Sequence, residues 1–217
     1  MQTPYRNLVS AFVLAGGFIV PASQAAAADP GGYIGFAVGQ SRVDIDAGQI
    51  NAELASLGFG ANTSVDQTGT GFKLYGGYQF NPNFAVEGGY TSFGKATSHS
   101  VITSGGSGTG DGRWKGYSLD FSAVGILPLN DFSLFGRAGL SFWSLDFDFT
   151  ASGPGGTISP SESDSGVAPL LAIGAAYNFT PRFALRAEYE RHFNVGDDDT
   201  TGQSDIDLFT VGLQYRF

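Results

Sequence analysis

The sequence predicts an all-β fold, a single eight-stranded antiparallel transmembrane β-barrel. Three observations carry this. Large apolar residues recur at every second position in eight segments. The charged residues inside those segments take the opposite parity, and short and long links between segments alternate strictly.

The segments run from 33 to 43, 71 to 80, 84 to 94, 114 to 128, 132 to 146, 167 to 179, 183 to 193 and 206 to 217. In the first, Ile34, Phe36 and Val38 share a face, with Gly35, Ala37, Gly39 and Ser41 opposite. Phe72 and Leu74 mark the second, and Phe84, Val86 and Tyr90 the third. Tyr117, Leu119 and Phe121 follow, then Phe132, Leu134, Leu140 and Phe142. The last three carry Leu171, Ile173, Tyr177 and Phe179; Phe183, Leu185 and Tyr189; and Phe209, Val211, Leu213, Tyr215 and Phe217. This is the period of a strand with two unlike faces.

A water-soluble barrel also alternates, so the charges decide which face meets which solvent. Lys73, Glu87, Asp120, Arg137, Arg186, Glu188 and Arg216 lie well inside the segments, each with the parity opposite to the large apolar side chains. Seven independent two-way choices agree in this way about one time in a hundred. A charge on the lipid side at mid-membrane costs about 2–4 kcal/mol, which accounts for the segregation. Charged residues make up only 14% of the chain, too few for a polar exterior, so the charged face is read as the lumen.

Residues 1 to 28 read as a cleavable signal peptide and residues 29 to 217 as the barrel domain. Arg6 supplies the basic start, Leu8 to Val20 the apolar stretch, and Ser23-Gln24-Ala25 or Ala26-Ala27-Ala28 the cleavage site. After that leader no apolar run is long enough for a membrane helix. With no Cys there is neither a disulfide framework nor a thiolate metal site. Removing the leader leaves 10 basic against 20 acidic residues, a net charge of about −10, which excludes nucleic acid as a natural partner.

Three links are tight: Asn81-Pro82-Asn83, Leu129-Asn130-Asp131 and Thr180-Pro181-Arg182, with turn-forming Pro, Asn and Asp. Four, at about 44 to 70, 95 to 113, 147 to 166 and 194 to 205, are long and polar and are expected as loops. Short links at one end and long ones at the other imply periplasmic turns, extracellular loops and both termini in the periplasm. Tyr33, Phe80, Phe84, Phe132, Phe183, Trp114 and Trp143 lie near segment ends, and interfacial girdle positions are expected for them.

Several stretches resemble the outer membrane protein A (OmpA) transmembrane barrel family over nearly the whole chain beyond the leader. They are Gly76-Gly77-Tyr78-Gln79-Phe80-Asn81-Pro82, Glu87-Gly88-Gly89-Tyr90, Thr180-Pro181-Arg182, Arg186-Ala187-Glu188-Tyr189, Asn194-Val195-Gly196-Asp197 and Val211-Gly212-Leu213-Gln214-Tyr215-Arg216-Phe217. The resemblance implies an outer-membrane location in a Gram-negative envelope. It also implies that Leu213, Tyr215 and Phe217 form the signal read by the barrel assembly machinery. In the family, interior charges block or gate the lumen; Glu87 and Arg186 match one such pair and Arg137 a third interior charge. Ala176 stands where the family has a further glutamate, and no lysine has inward parity in segment 114 to 128, so the second pair is expected to be absent as a unit. Nothing follows Phe217, so no peptidoglycan-binding domain is expected.

An eight-stranded barrel encloses little more than its own side chains, which disfavours a wide pore. The expected role is therefore non-enzymatic and structural, supporting the envelope, with exposed loops for contacts with lipopolysaccharide, other cells or phage. The alternative is a narrow or gated, porin-like channel. A monomer is expected. Lipid-modifying catalysis needs a serine with a base at the lipid face. Only His99, beside Ser98 and Ser100 in a long link, and His192, after Glu190, are available. Gly105 to Gly112 lacks the Lys-Ser/Thr of a phosphate loop, and Asp197-Asp198-Asp199 with Asp205 reads as a solvated acidic run rather than a calcium site. No cofactor and no metal are expected.

Overall fold

The computed structural model describes residues 30 to 43, 47 to 104, 106 to 196 and 203 to 217. The leader expected at 1 to 28 and the run Asp197 to Asp199 lie outside them. The elements are β1 (Gly31–Val43), α1 (Ala47–Ser56), β2 (Gly60–Asp66), β3 (Thr68–Asn81), β4 (Phe84–Ser104), β5 (Thr109–Leu129), β6 (Phe132–Gly153), β7 (Gly156–Ile158), β8 (Ser161–Asn178), β9 (Phe183–Val195) and β10 (Ser204–Arg216). Eight of the strands close a ring in the order β1, β3, β4, β5, β6, β8, β9, β10, with β10 returning to β1. Every pairing is antiparallel, and β1 shows the closure: Val38 opposes Val211 of β10 on one side and Phe72 of β3 on the other. Closure leaves the ring without an open edge.

Residues opposed across a ladder share a face, so the register sorts the ring into two surfaces. Facing outward are Phe36, Leu74, Phe121 and Ile173, between 52% and 68% exposed. Facing inward, Ala37 opposes Lys73, Gly77 opposes Glu87, and Asp120 stands between Gly89 and Ser141. Apolar outside and charged inside inverts the arrangement of a water-soluble protein and places the band in lipid. A Phe121→Arg change on that band is expected to lower stability by about 2–4 kcal/mol, read from urea unfolding in lipid vesicles. A loss under about 0.5 kcal/mol contradicts the lipid placement.

The tight turns form as their residues require. Asn130, between β5 and β6, adopts a φ of 60°, a left-handed conformation that asparagine tolerates. The side chain of Asn81 accepts a hydrogen bond from the Asn83 N–H at 2.9 Å, and Thr180 Oγ1 accepts one from the Phe183 N–H at 2.9 Å.

Much of what is expected as long loops is instead sheet. β4 continues to Ser104 and β5 begins at Thr109, while β6 continues to Gly153 and β8 begins at Ser161, with β7 added to β6. Within 44 to 70 the chain forms α1 and then β2, which pairs with β4. Strands β5 and β6, of 21 and 22 residues, are about twice the roughly 9–11 residues needed to cross a bilayer. They therefore rise well beyond it. Serine, threonine, glycine and aspartate dominate there, so no apolar alternation marks a sheet wetted by water, although its ladder bonds still form. A register shift beside Gly94, whose φ is 74°, marks the base of this extension on β4.

The girdle expectation divides in the same way. Phe80, Phe84, Phe132 and Phe183 are exposed outside, with Phe80 stacked on Phe84 at 5.9 Å. Tyr33 and Trp143 are instead buried in the barrel, because both have inward parity; Trp114 packs on Phe147 in the extension at 4.8 Å.

Candidate functional site

The lumen is filled by layers, each dictated by the inward positions of the strands. At the short-turn end, Gln79, Gln214 and Arg216 line a cavity of about 120 Å³, and Arg216 donates to the Gln79 side-chain oxygen. Next come Tyr33, Tyr75, Ala85, Val124 and Phe135. Their rings need missing side chains opposite: a Cβ on Gly77 would stand 2.4 Å from the Tyr33 ring, and one on Gly174 only 2.3 Å from the Phe135 ring. The Arg186 guanidinium lies over Tyr75 at 4.6 Å and over Phe135 at 4.1 Å, joining this layer to the next.

The third layer is a buried charge cluster. β9 contributes four consecutive inward residues, Arg186, Glu188, Glu190 and His192; Lys73, Glu87, Asp120 and Arg137 come from β3, β4, β5 and β6. Lys73 Nζ donates to Glu188 and Glu190, both at 2.6 Å. Arg137 reaches three carboxylates, Glu87 at 2.6 Å, Glu188 at 3.0 Å and Glu190. Arg186 bridges Glu87 at 2.6 Å and Glu188, and the Tyr33 hydroxyl donates to Glu87 at 3.1 Å. His192 bonds Glu190 through Nε2 at 2.6 Å and Ser141 through Nδ1 at 2.9 Å. Such a network is tolerable in a low dielectric only because nearly every ion has a partner of opposite sign.

A fourth layer, Phe93, Trp143, Leu145, Ala168, Val195 and Ile206, is apolar and caps the cluster towards the strand extension. The T-shaped contact of Phe93 with the His192 ring, at 4.9 Å, joins cap to cluster.

Of the residues singled out by sequence, Lys73, Glu87, Asp120, Arg137, Arg186 and Glu188 are all buried in the charged third layer, whereas Arg216 stands apart at the mouth. Leu213, Tyr215 and Phe217 lie on the seam. Leu213 opposes Phe36 and Leu185, Tyr215 opposes Ile34 and Phe183, and the Phe217 N–H bonds the Gly32 carbonyl at 3.0 Å. Glu190 and His192 were not singled out as lumen residues. Parity could have found them, since both continue the even-numbered series of Arg186 and Glu188. Segment 114 to 128 has no inward lysine, and Lys73, from β3, supplies the additional cation.

A closed ring of eight strands with an apolar outer surface and a charged, packed lumen defines an outer-membrane β-barrel. The chain belongs to the OmpA-like transmembrane domain family, whose model matches residues 27–217. Outer membrane protein A of Salmonella typhi is 32% identical over 214 residues, covering 98% of this chain and 55% of that protein. The Yersinia pseudotuberculosis protein of the same name is 32% identical over 197 residues, covering 90% of this chain and 51% of its own length. The chain thus spans about half the length of these relatives. Among solved structures, Ail, the attachment invasion locus protein of Yersinia pestis, superposes with a TM-score of 0.52 at 25% identity, covering 87% of this chain and 99% of Ail. Neisserial surface protein A gives 0.50 at 16% identity, covering 86% and 97%. The protein is an outer-membrane barrel, and its outward apolar band meets the lipid of that membrane.

Proposed function

We propose that the protein is a non-enzymatic, monomeric scaffold of the outer membrane, with a plugged lumen and a working surface on the strand extension beyond the lipid. The packing of the lumen carries this reading: two aromatic or apolar layers enclose a densely paired, buried charge cluster, which supports a plugged lumen. The extension of β4, β5 and β6, thickened by β2 and β7, offers polar surface to lipopolysaccharide, other cells or phage. Just beyond the apolar band, Arg191 pairs with Asp207 at 2.6 Å, a charged rim suited to polar headgroups. The name of Ail, an attachment protein, agrees with work done at the outer surface. In this reading the barrel assembly machinery engages Leu213, Tyr215 and Phe217, all on the outward parity of the last strand. A catalytic role lacks support from either histidine: His192 is fully buried, and His99 is bonded to Asp111 at 2.6 Å on the extension.

A narrow gated channel is the second reading, favoured by one observation. Arg186 holds Glu87 and Glu188 together beside the mouth cavity, and in this second reading a rotation of its guanidinium is the gate. Planar-bilayer recording of the refolded, inserted protein decides. The scaffold reading expects no discrete openings from the native chain and none from Glu87→Ala. Reproducible native openings whose size or frequency changes in Glu87→Ala establish the gate instead. Truncation of the extension between 96 and 112 is expected to abolish surface binding with ion flux unchanged.

A further inference from the structure

We propose that the outer end of the lumen cluster is a divalent-metal site in which Asp120, Glu190 and His192 each supply one ligand atom. The three residues come from β5 and β9, and one donor atom from each lies within 4.8 Å of the other two. A carboxylate–carboxylate–imidazole set with three protein donors suits a small borderline cation such as Zn²⁺, with a water completing a tetrahedron.

Two further observations point to a missing positive charge there. Asp120 is 0% exposed, yet among the described residues its carboxylate accepts only the Thr91 hydroxyl, at 2.7 Å on Oδ2, and Oδ1 has no partner. A buried carboxylate held by one neutral donor is costly, and such an atom calls for a counter-charge. The ion pairs give the same answer: among the described residues Glu87, Glu188 and Glu190 each pair with Lys73, Arg137 or Arg186, and Glu190 also with His192, whereas Asp120 has no such pair. Asp120 is thus the one carboxylate of the described cluster with no cationic partner. Its neighbours at this level are Glu190 and the His192 ring.

The surroundings also match what holds a metal ligand in place. Ser141 bonds His192 Nδ1 at 2.9 Å and so orients the ring with Nε2 towards Glu190, while Thr91 orients Asp120. The present Nε2 to Glu190 contact of 2.6 Å must open to about 3.4 Å to admit a tetrahedral ion with metal–ligand bonds of about 2.1 Å. That is a side-chain movement below 1 Å, on the order of the adjustment a loaded site needs. The apolar cap of Phe93 and Trp143 lies over the site, so loading is expected during folding rather than by diffusion into the finished barrel. Asp120 stands 70 and 72 positions before Glu190 and His192, which hides the complete site from any short spacing motif.

The test uses the untagged chain, refolded in detergent with one equivalent of Co²⁺ as the probe and then desalted. Folding is checked by the mobility of the unboiled sample. The expected result is close to one cobalt per folded chain by elemental analysis, with the visible absorption of a low-coordinate site. Both are lost in Asp120→Asn and in His192→Gln, reduced about 10–100-fold in affinity in Thr91→Val, and unchanged in His99→Gln, which removes the exposed His99–Asp111 pair. Folded native protein that retains no cobalt overturns the proposal. So does cobalt retained equally by folded Asp120→Asn and His192→Gln.

Discussion

Arg137→Met is expected to lower the stability of the barrel by about 3–5 kcal/mol, among the largest effects of any single change in the lumen. Methionine keeps an unbranched stem but removes a guanidinium that touches Glu87, Glu188 and Glu190 together. After the change Glu87 retains Arg186, Glu188 retains Lys73 and Arg186, and Glu190 retains Lys73. No carboxylate is stripped of every partner, but the four buried carboxylates lose one of their three guanidinium and ammonium cations, and in a low dielectric that loss cannot be screened. Urea unfolding in vesicles measures the loss. The double variant Arg137→Met with Glu190→Gln removes one charge of each sign and is expected to recover more than half of it. A single-variant loss below about 1 kcal/mol would mean that water reaches the cluster, against the layered packing described above.

Trp143→Ala is expected to cost a similar about 3–5 kcal/mol and to change the lumen as well as the stability. Trp143 is 5% exposed in the apolar cap, and the ring is seated against Gly166, where a Cβ would stand 2.6 Å away. The space is expected to be refilled only in part, since Ala168 is small and Phe93 is already engaged with His192. The cavity opens the outer side of the charge cluster. Bilayer recordings are expected to show brief openings in Trp143→Ala from a chain that is silent when intact. Silence in both, with the stability loss present, places the seal in the charge layer itself. Openings of the intact chain make the cap irrelevant to conduction and favour the Arg186 gate.

Both expectations rest on inward residues, and these were unequally legible. Lys73, Glu87, Asp120, Arg137, Arg186 and Glu188 could be placed on the lumen face because each interrupts a strict alternation of large apolar neighbours. Glu190 and His192 obey the same parity, but they sit where the outward side chains change from apolar to polar at Arg191, so the contrast that signals a face fades. From sequence, Tyr33 and Trp143 are expected in the girdles because aromatics are at home at interfaces. Their parity points inward, and each ring occupies space left by a glycine on a neighbouring strand, Gly77 for Tyr33 and Gly166 for Trp143.

By itself the sequence determined the barrel, the number of strands, the lipid-facing and lumen-facing sides and the tight turns. Each of these follows from local chemistry: a period of two, the exclusion of charge from lipid, and the φ preferences of Pro, Asn and Asp. Only the tertiary structure decided which charges meet, how the layers stack, and that β4, β5 and β6 continue as sheet far beyond the bilayer. Those depend on register between strands distant in the chain, such as Lys73 with Glu190 or Asp120 beside His192. In the extension, ladder hydrogen bonds form between backbones whatever the side chains, so water on both faces leaves no hydropathy pattern to read.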